Sequence, residues 1–212
     1  MSDKTIEAVA VFNKLASLYA QKYMDVSGYS ESLDIFGKLI NNSNGTVLEI
    51  GCGPGNITRY LLNKFPELKF FGIDLAPEMI SIARSLNPEA EFEVMDCRKI
   101  NMIPTKFNAV LCGFCLPYLS RSEAIQLISD SAARIASGGL IYISTMEDSN
   151  SKSGYVSGST GDQLFMNYHE CSYLTEALRN ENFEVVYEKH LPLAADPESI
   201  TKDLVLIAKK IA

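Results

Sequence analysis

The chain lacks an excess of positive charge. Nineteen lysines and arginines stand against 26 aspartates and glutamates in 212 residues, for a net charge of −7. Nucleic-acid binders normally carry the opposite balance, because neutralising phosphates supplies much of their affinity, so no nucleic-acid partner is expected. Long apolar runs are also missing. Ala109 to Leu119 is interrupted by Gly113 and Pro117 and falls far short of the roughly 18 residues a membrane span requires, so no membrane partner is expected. The first residues have neither the basic start nor the apolar stretch of a secretory signal. Five cysteines, an odd number in a chain of this size, suit a reducing cytoplasm better than a disulfide framework. Only two histidines are available for proton transfer, and no internal repeat is found. Apolar residues at 47% and charged residues at 21% describe an ordinary globular chain, and the length suits one domain.

What is present is a change of rhythm. Residues 4 to 24 place Val11, Phe12, Leu15, Leu18 and Tyr19 at helical spacing, and a second helix over about 30 to 40 carries Leu33, Phe36 and Leu39, with Ser30 as N-cap. From Thr46 onward strands alternate with helices: Thr46 to Ile50, Lys69 to Asp74, Ala90 to Met95, Phe107 to Gly113 and Leu140 to Ser144 read as strands. Ser120-Arg121-Ser122-Glu123 is a capping box that opens a helix running to about Ala136. Such alternation predicts a doubly wound α/β fold, a parallel sheet with helices on both faces. After 144 the rhythm breaks into a Ser- and Gly-rich stretch. A helix over Ser172 to Asn180 follows, then two consecutive strands, Phe183 to Lys189 and Asp203 to Ala208, expected as an antiparallel pair at one sheet edge.

The chemistry gathers at strand ends. The first strand runs into Glu49-Ile50-Gly51-Cys52-Gly53-Pro54-Gly55, whose glycines let backbone approach a ligand where the next helix begins. The spacing is not G-x-G-x-x-G, which a nicotinamide-dependent oxidoreductase should show. Asp74 ends the second strand, where a carboxylate accepts from both hydroxyls of an unphosphorylated ribose. Asp96 ends the third, within reach of an exocyclic amine. Acids at three successive strand ends predict a pocket for a neutral or cationic nucleoside and against a pyrophosphate. Cys112 and Cys115 form a C-x-x-C, but within an established strand series and without a second pair, which disfavours a redox or zinc role.

Together, Val47 to Gly55, the segment Phe71-Gly72-Ile73-Asp74-Leu75-Ala76-Pro77-Glu78-Met79-Ile80 and the Asp96-Cys97 pair resemble class I S-adenosylmethionine-dependent methyltransferases. The likeness covers about 46 to 145 and is nearest to the small-molecule enzymes of ubiquinone-biosynthesis type. It implies a Rossmann-like, seven-stranded, mostly parallel sheet with an antiparallel edge strand. A helical N-terminal cap (1–40), a cofactor core (41–145) and a lid loop with C-terminal edge strands (146–212) would form one domain.

The resemblance implies S-adenosyl-L-methionine as cofactor and S-adenosyl-L-homocysteine as product. Gly51, Cys52 and Gly53 would wrap the methionine part, Glu49 would hold the loop, and Asp74 would bind the ribose. Leu75 and Met79 would flank the adenine, with Asp96 and Cys97 at its amine. Gly113 and Phe114 would lie near the methyl group, and Tyr19 would close over the cofactor. Tyr23, Cys115, Tyr118 and Tyr168 are the acceptor-side candidates. His169, at the end of the polar loop, is the candidate base, and His190 reads as a loop residue. No metal is expected, because the acids of catechol-type enzymes are missing after the fourth strand. The motifs of base-amine and cytosine methyltransferases are missing too, which leaves a small-molecule acceptor; the protein itself is expected as a cytoplasmic monomer or homodimer. A cofactor-binding protein without catalysis stays open.

Overall fold

The computed structural model describes residues 3–40, 44–158, 160–193 and 199–211. The polar cluster Asn41-Asn42-Ser43-Asn44-Gly45, where the sequence breaks the helical pattern, lies outside them except for its last two residues. The amphipathic stretches become helices α1 (Lys4–Tyr23), α2 (Ser30–Leu39), α3 (Asn56–Lys64), α4 (Pro77–Leu86), α5 (Arg121–Arg134) and α6 (Cys171–Asn180). Strands β1 (Thr46–Ile50), β2 (Lys69–Asp74) and β4 (Phe107–Gly113) fall on the expected residues, and β3 is Glu91–Val94. The remaining strands are β5 (Ile135–Glu147), β6 (Gly154–Ser157), β7 (Gln163–Met166), β8 (Phe183–Pro192) and β9 (Lys202–Lys210).

The main sheet has seven strands in the order β3-β2-β1-β4-β5-β9-β8. The first five are parallel, and β9 runs antiparallel to both β5 and β8. Thus the expected antiparallel pair closes one edge, with β9 inserted between β5 and the edge strand. Order reverses at β1, whose neighbours are β2 and β4, and in open α/β sheets ligands bind outside the carboxyl ends of the strands at such a point. Two cores flank the sheet. One packs Leu48, Ile50, Ile73, Val110 and Ile143 under α5 and α6; the other packs Val47, Leu111 and Tyr142 under α2 and α3.

Local chemistry explains most boundaries. The capping box forms, with Ser120 Oγ accepting from the Glu123 N–H and Glu123 receiving the Ser120 N–H at 2.8 Å. Asn182 adopts a left-handed conformation after α6, at φ 61°, which asparagine tolerates at a helix end. Ser30 does not cap α2. It is the first helical residue, because a short 3₁₀ turn over Ser27–Tyr29 feeds directly into the helix. The sequence expects α5 to run to about Ala136 and Gly138-Gly139 to end it, but the helix stops at Arg134 and the two glycines sit in an irregularity of β5, where the pairing jumps from Phe107↔Ile135 to Ala109↔Leu140. The Ser- and Gly-rich stretch folds in part into the β6–β7 hairpin.

Candidate functional site

A cleft opens at the carboxyl ends of β1 to β4, enclosing about 680 Å³ of space open to solvent at its mouth. The turn after β1 forms its floor. Gly51 and Gly53 adopt φ of 64° and 53°, a left-handed backbone that only glycine takes without strain. The turn is pinned to the next strand. Asp74 Oδ2 accepts the Gly53 N–H and Oδ1 accepts the Ala76 N–H, each at 2.9 Å. Burial pushes the Asp74 carboxyl above its ordinary range, opposed by these backbone donors. Gly55 is held closely too, since a Cβ there would stand 2.4 Å from the Asn87 side-chain nitrogen.

Asp96 forms the far wall. Burial would raise its pKa, but the Arg98 guanidinium beside it wins and holds the carboxyl below the usual range. Arg98 reaches Asp96 at 2.8 Å, Asp3 at 2.8 Å and Glu123 at 3.3 Å. Phe114, just after β4, sits at φ 52°, an unusual conformation for an aromatic residue and one typical of functional turns. Its N–H is anchored on the Ser144 carbonyl at 2.9 Å.

Helix α1 is the roof. Thr5, Ala8, Val9, Phe12 and Tyr19 all face the cleft. The helix is tied down along its length. The Thr5 hydroxyl donates to the Tyr118 carbonyl at 2.9 Å, Asn13 Oδ1 accepts the Glu78 N–H at 2.9 Å, and Asn56 donates to the Tyr23 carbonyl at 2.8 Å. Phe12 meets the rings of Tyr19 and Tyr118 edge-on, at centroid distances of 5.6 and 4.9 Å. Burial raises the phenols of Tyr118 and Tyr19, the latter to about 12, so both present neutral hydroxyls.

Among the sequence-expected residues, Tyr19, Gly51, Gly53, Asp74, Leu75, Met79, Asp96, Cys97, Gly113, Phe114, Cys115 and Tyr118 line the cleft together. Glu49 and Cys52 do not. Glu49 is buried beneath the turn against the Thr58 hydroxyl, and burial, opposed by that hydrogen bond, pushes it up to about 8. Cys52 turns the other way, into a small core with Ile80, Ala83 and Phe92. Tyr23 lies beside the cleft, its ring 4.5 Å from that of Tyr19, and is 43% exposed. Tyr168 is held outside it, its N–H on Ser153 Oγ and its carbonyl accepting from Asn150.

His169, the candidate base, is not among the residues that line the cleft. It is fully buried, its Nε2 donates to the Leu116 carbonyl at 2.8 Å, and its Nδ1 accepts from the Tyr173 hydroxyl. Burial lowers its pKa, which keeps the ring neutral, and neither nitrogen has a lone pair or proton left for a substrate. His190 is corrected: it lies in β8 rather than in a loop. Sequence reasoning missed Thr5, Ala8, Val9, Phe12 and Met95 as lining residues. The apolar face of α1 was visible, but nothing in its periodicity separates a face that covers a cleft from one that covers a core.

A mostly parallel sheet with a glycine-turn cleft at its switch point and carboxylates on two adjacent strand ends defines a Rossmann-like fold of methyltransferase type. Whole-chain likeness agrees. Magnesium protoporphyrin IX methyltransferase from Synechocystis, solved with bound SAM, superposes with a TM-score of 0.72 at 16% identity, over 99% of this chain and 98% of its own. DhpI, solved as its SAH complex, gives 0.72 at 17% identity, over 100% and 99%. A methyltransferase-domain family model matches residues 47–139. The core of the chain thus carries the pattern of a methyltransferase domain, and the whole chain shares the fold of these two solved proteins. Among curated relatives, trans-aconitate 2-methyltransferase of Variovorax paradoxus is 34% identical over 97 residues, 46% of this chain and 37% of that one. Its counterpart from Escherichia coli is 44% identical over 52 residues, 24% and 21% of the two chains. The chain's matches thus span well under half the length of these relatives. No helix among the described residues is long and apolar enough to cross a membrane.

Proposed function

We propose that this protein transfers a methyl group from S-adenosyl-L-methionine to a neutral small-molecule acceptor with an apolar, aromatic-compatible body, releasing S-adenosyl-L-homocysteine. One observation carries the reading. Two carboxylates, Asp74 and Asp96, stand in a cleft whose described lining includes no lysine, arginine or histidine. That charge pattern fits a cationic, phosphate-free nucleoside and disfavours the pyrophosphate of a nicotinamide cofactor.

When bound, the cofactor supplies a methyl group already activated on a sulfonium. The chain's own residues then have to orient and exclude water. Asp74, preset by the Gly53 and Ala76 amides, would take the ribose hydroxyls; Asp96, preset by Arg98, would take the adenine amine between Leu75 and Met79. Gly113 and Phe114 would face the methyl group, while Phe12, Tyr19 and Tyr118 shut out water from the α1 side. No lining group is a free base. Burial raises Tyr19 and Tyr118, and hydrogen bonding between thiols together with burial raises Cys97 and Cys115, so the acceptor must arrive nucleophilic. The same lining argues against a tricarboxylate acceptor, which would meet acids and no cation. Residues 1–40 as a cap on one domain, and a reducing cytoplasmic setting for the five thiols, complete the reading.

The test is calorimetry with S-adenosylhomocysteine and with NADH, followed by a screen of neutral aromatic acceptors and trans-aconitate with labelled cofactor. Homocysteine-form binding with transfer to a neutral acceptor is expected. Tight NADH binding in its place would overturn the cofactor assignment. Transfer to trans-aconitate would overturn the acceptor class, and binding without transfer to any acceptor would leave a cofactor-binding protein.

A further inference from the structure

Away from the cleft, a second set of chemically competent side chains meets at the end of β5. A Cys171 Sγ, a Glu188 carboxylate oxygen and a His190 ring nitrogen lie within 4.8 Å of one another. They come from different places. Cys171 opens α6, while Glu188 and His190 stand two residues apart on the edge strand β8 and so share one face. Glu147, near the end of β5, reaches over β9 to both. Its Oε2 lies 2.5 Å from His190 Nδ1, and its Oε1 accepts the Cys171 N–H at 3.0 Å. On the other side of the ring, His190 Nε2 is 3.1 Å from Glu188 Oε1.

The geometry points to a binding site for a borderline divalent cation of the zinc type, ligated by Cys171 Sγ, Glu188 and His190 Nε2, with Glu147 holding the ring through Nδ1.

The donor set argues for the class of ion. One sulfur, one imidazole nitrogen and one carboxylate oxygen suit zinc or cobalt(II). Magnesium and calcium ask for six or more oxygens and are disfavoured. Glu147 lies on Nδ1 of the ring, and a carboxylate on one ring nitrogen is the arrangement that fixes tautomer and orientation in metal-ligating histidines. Ligand bonds of about 2.0–2.3 Å place donors roughly 3.5 Å apart around one ion, so the three atoms must close by about an ångström. Glu188 and His190 are exposed enough to swing that far. Binding replaces the thiol proton with the metal–sulfur bond, and that proton leaves to solvent. The three ligands bind the start of α6 to the sheet edge, and Glu147 extends the tie to β5.

Cobalt(II) chloride titrated into the full chain should give one ion per chain with a thiolate-to-cobalt absorption band in the near ultraviolet, displaced by zinc. Cys171→Ser should abolish the band, and His190→Ala and Glu188→Gln should each weaken binding by at least tenfold. Glu147→Gln should weaken it about tenfold, the size usual for a ring-orienting partner. Zinc should raise Tm in the parent chain and leave Cys171→Ser unmoved, and far-ultraviolet circular dichroism checks that the variants fold. Absence of the band in the parent chain, its survival in Cys171→Ser, or unchanged affinity in His190→Ala would overturn the site.

Discussion

His169 Nε2 donates to the carbonyl oxygen of Leu116 across 53 residues of sequence, at 2.8 Å. Leu116 is the first of three consecutive carbonyls held from afar. Pro117 O takes the Asn167 N–H at 2.7 Å, and Tyr118 O takes the Thr5 hydroxyl at 2.9 Å. These carbonyls belong to the turn that presents Phe114, Cys115 and Tyr118 to the cleft, so the polar segment after β7 shapes the site without entering it.

His169→Ala should therefore lower stability. It removes a buried ring, leaves the Tyr173 hydroxyl unpaired and leaves the Leu116 carbonyl with the Leu119 N–H alone, a loss of about 2–4 kcal/mol. The pH dependence has a definite sign. The folded-state pKa lies below the unfolded value, so below about pH 6.5 the unfolded chain binds the extra proton and stability falls as pH drops toward the folded pKa. Urea unfolding at pH 7.5 and 5.5 should show this acid loss in the parent chain and a smaller one in His169→Gln. A bell-shaped activity profile that loses one limb in His169→Gln, with stability unchanged, would instead restore a role as base.

Glu49 titrates in the opposite direction. Its carboxyl is pushed up to about 8 by burial, against the Thr58 hydrogen bond, so at neutral pH the folded chain keeps a proton that the unfolded chain has lost. That contribution is complete below about pH 4.3 and is lost as pH rises through the folded value, at no more than about 1.4 kcal/mol per pH unit. Glu49→Gln mimics the protonated form. In denaturant titrations the variant should match the parent near pH 4, exceed it increasingly as pH rises toward about 8, and hold a level excess above that. A constant difference between about pH 4 and 8 would show that Glu49 is ionised in the fold.

Legibility followed the physics of each segment. The strands β1, β2 and β4 were readable because short apolar runs between turn residues leave few alternatives, and the acids at strand ends stood out because buried charge is rare without a task. The order of β8 and β9 was not readable, since adjacent antiparallel strands can join a sheet either way round. Glu49 and Cys52 look like ligands in the motif, yet alternation along the turn sends their side chains beneath it. His169 misled for a related reason. A polar loop with one histidine looks catalytic until the fold shows the carbonyl that claims it. The metal-type cluster was invisible, because Glu147, Cys171, Glu188 and His190 are brought together only by the strand order.

The carboxylate of Asp74 has two jobs, and substitution should separate them. It ties the Gly53 and Ala76 amides, and it is placed to meet a ribose. Asp74→Ala should weaken S-adenosylhomocysteine binding at least thirtyfold, the effect of losing two hydrogen bonds of about 1–1.5 kcal/mol each. Asp74→Asn keeps one acceptor and should fall between the two. Calorimetry decides it: equal affinity for all three chains would remove Asp74 from the cofactor site.

Arg98 is the joint between roof and wall. It holds Asp96 and Glu123 on the core side and Asp3, the N-cap of α1, on the other. Asp3 is 43% exposed at its side chain, so solvent screens that bridge, and the stability cost of Arg98→Ala should be only about 1–2 kcal/mol. Its larger effect should be on motion. Freed of Asp3, the first turns of α1 lose a clamp over the cleft, and amide exchange across residues 4–12 should speed up relative to α5. The acid limb should change as well. In the parent chain burial is outweighed at all three acids: Arg98, with backbone amides, holds Asp3 and Asp96 below their ordinary range, and Ser120 first and Arg98 second hold Glu123 there. They stabilise the fold above about pH 4, and this is lost as pH falls through the lower folded values. Arg98→Ala should flatten that loss, whereas an unaltered acid limb with unaltered exchange in α1 would show that the three contacts carry no weight in solution.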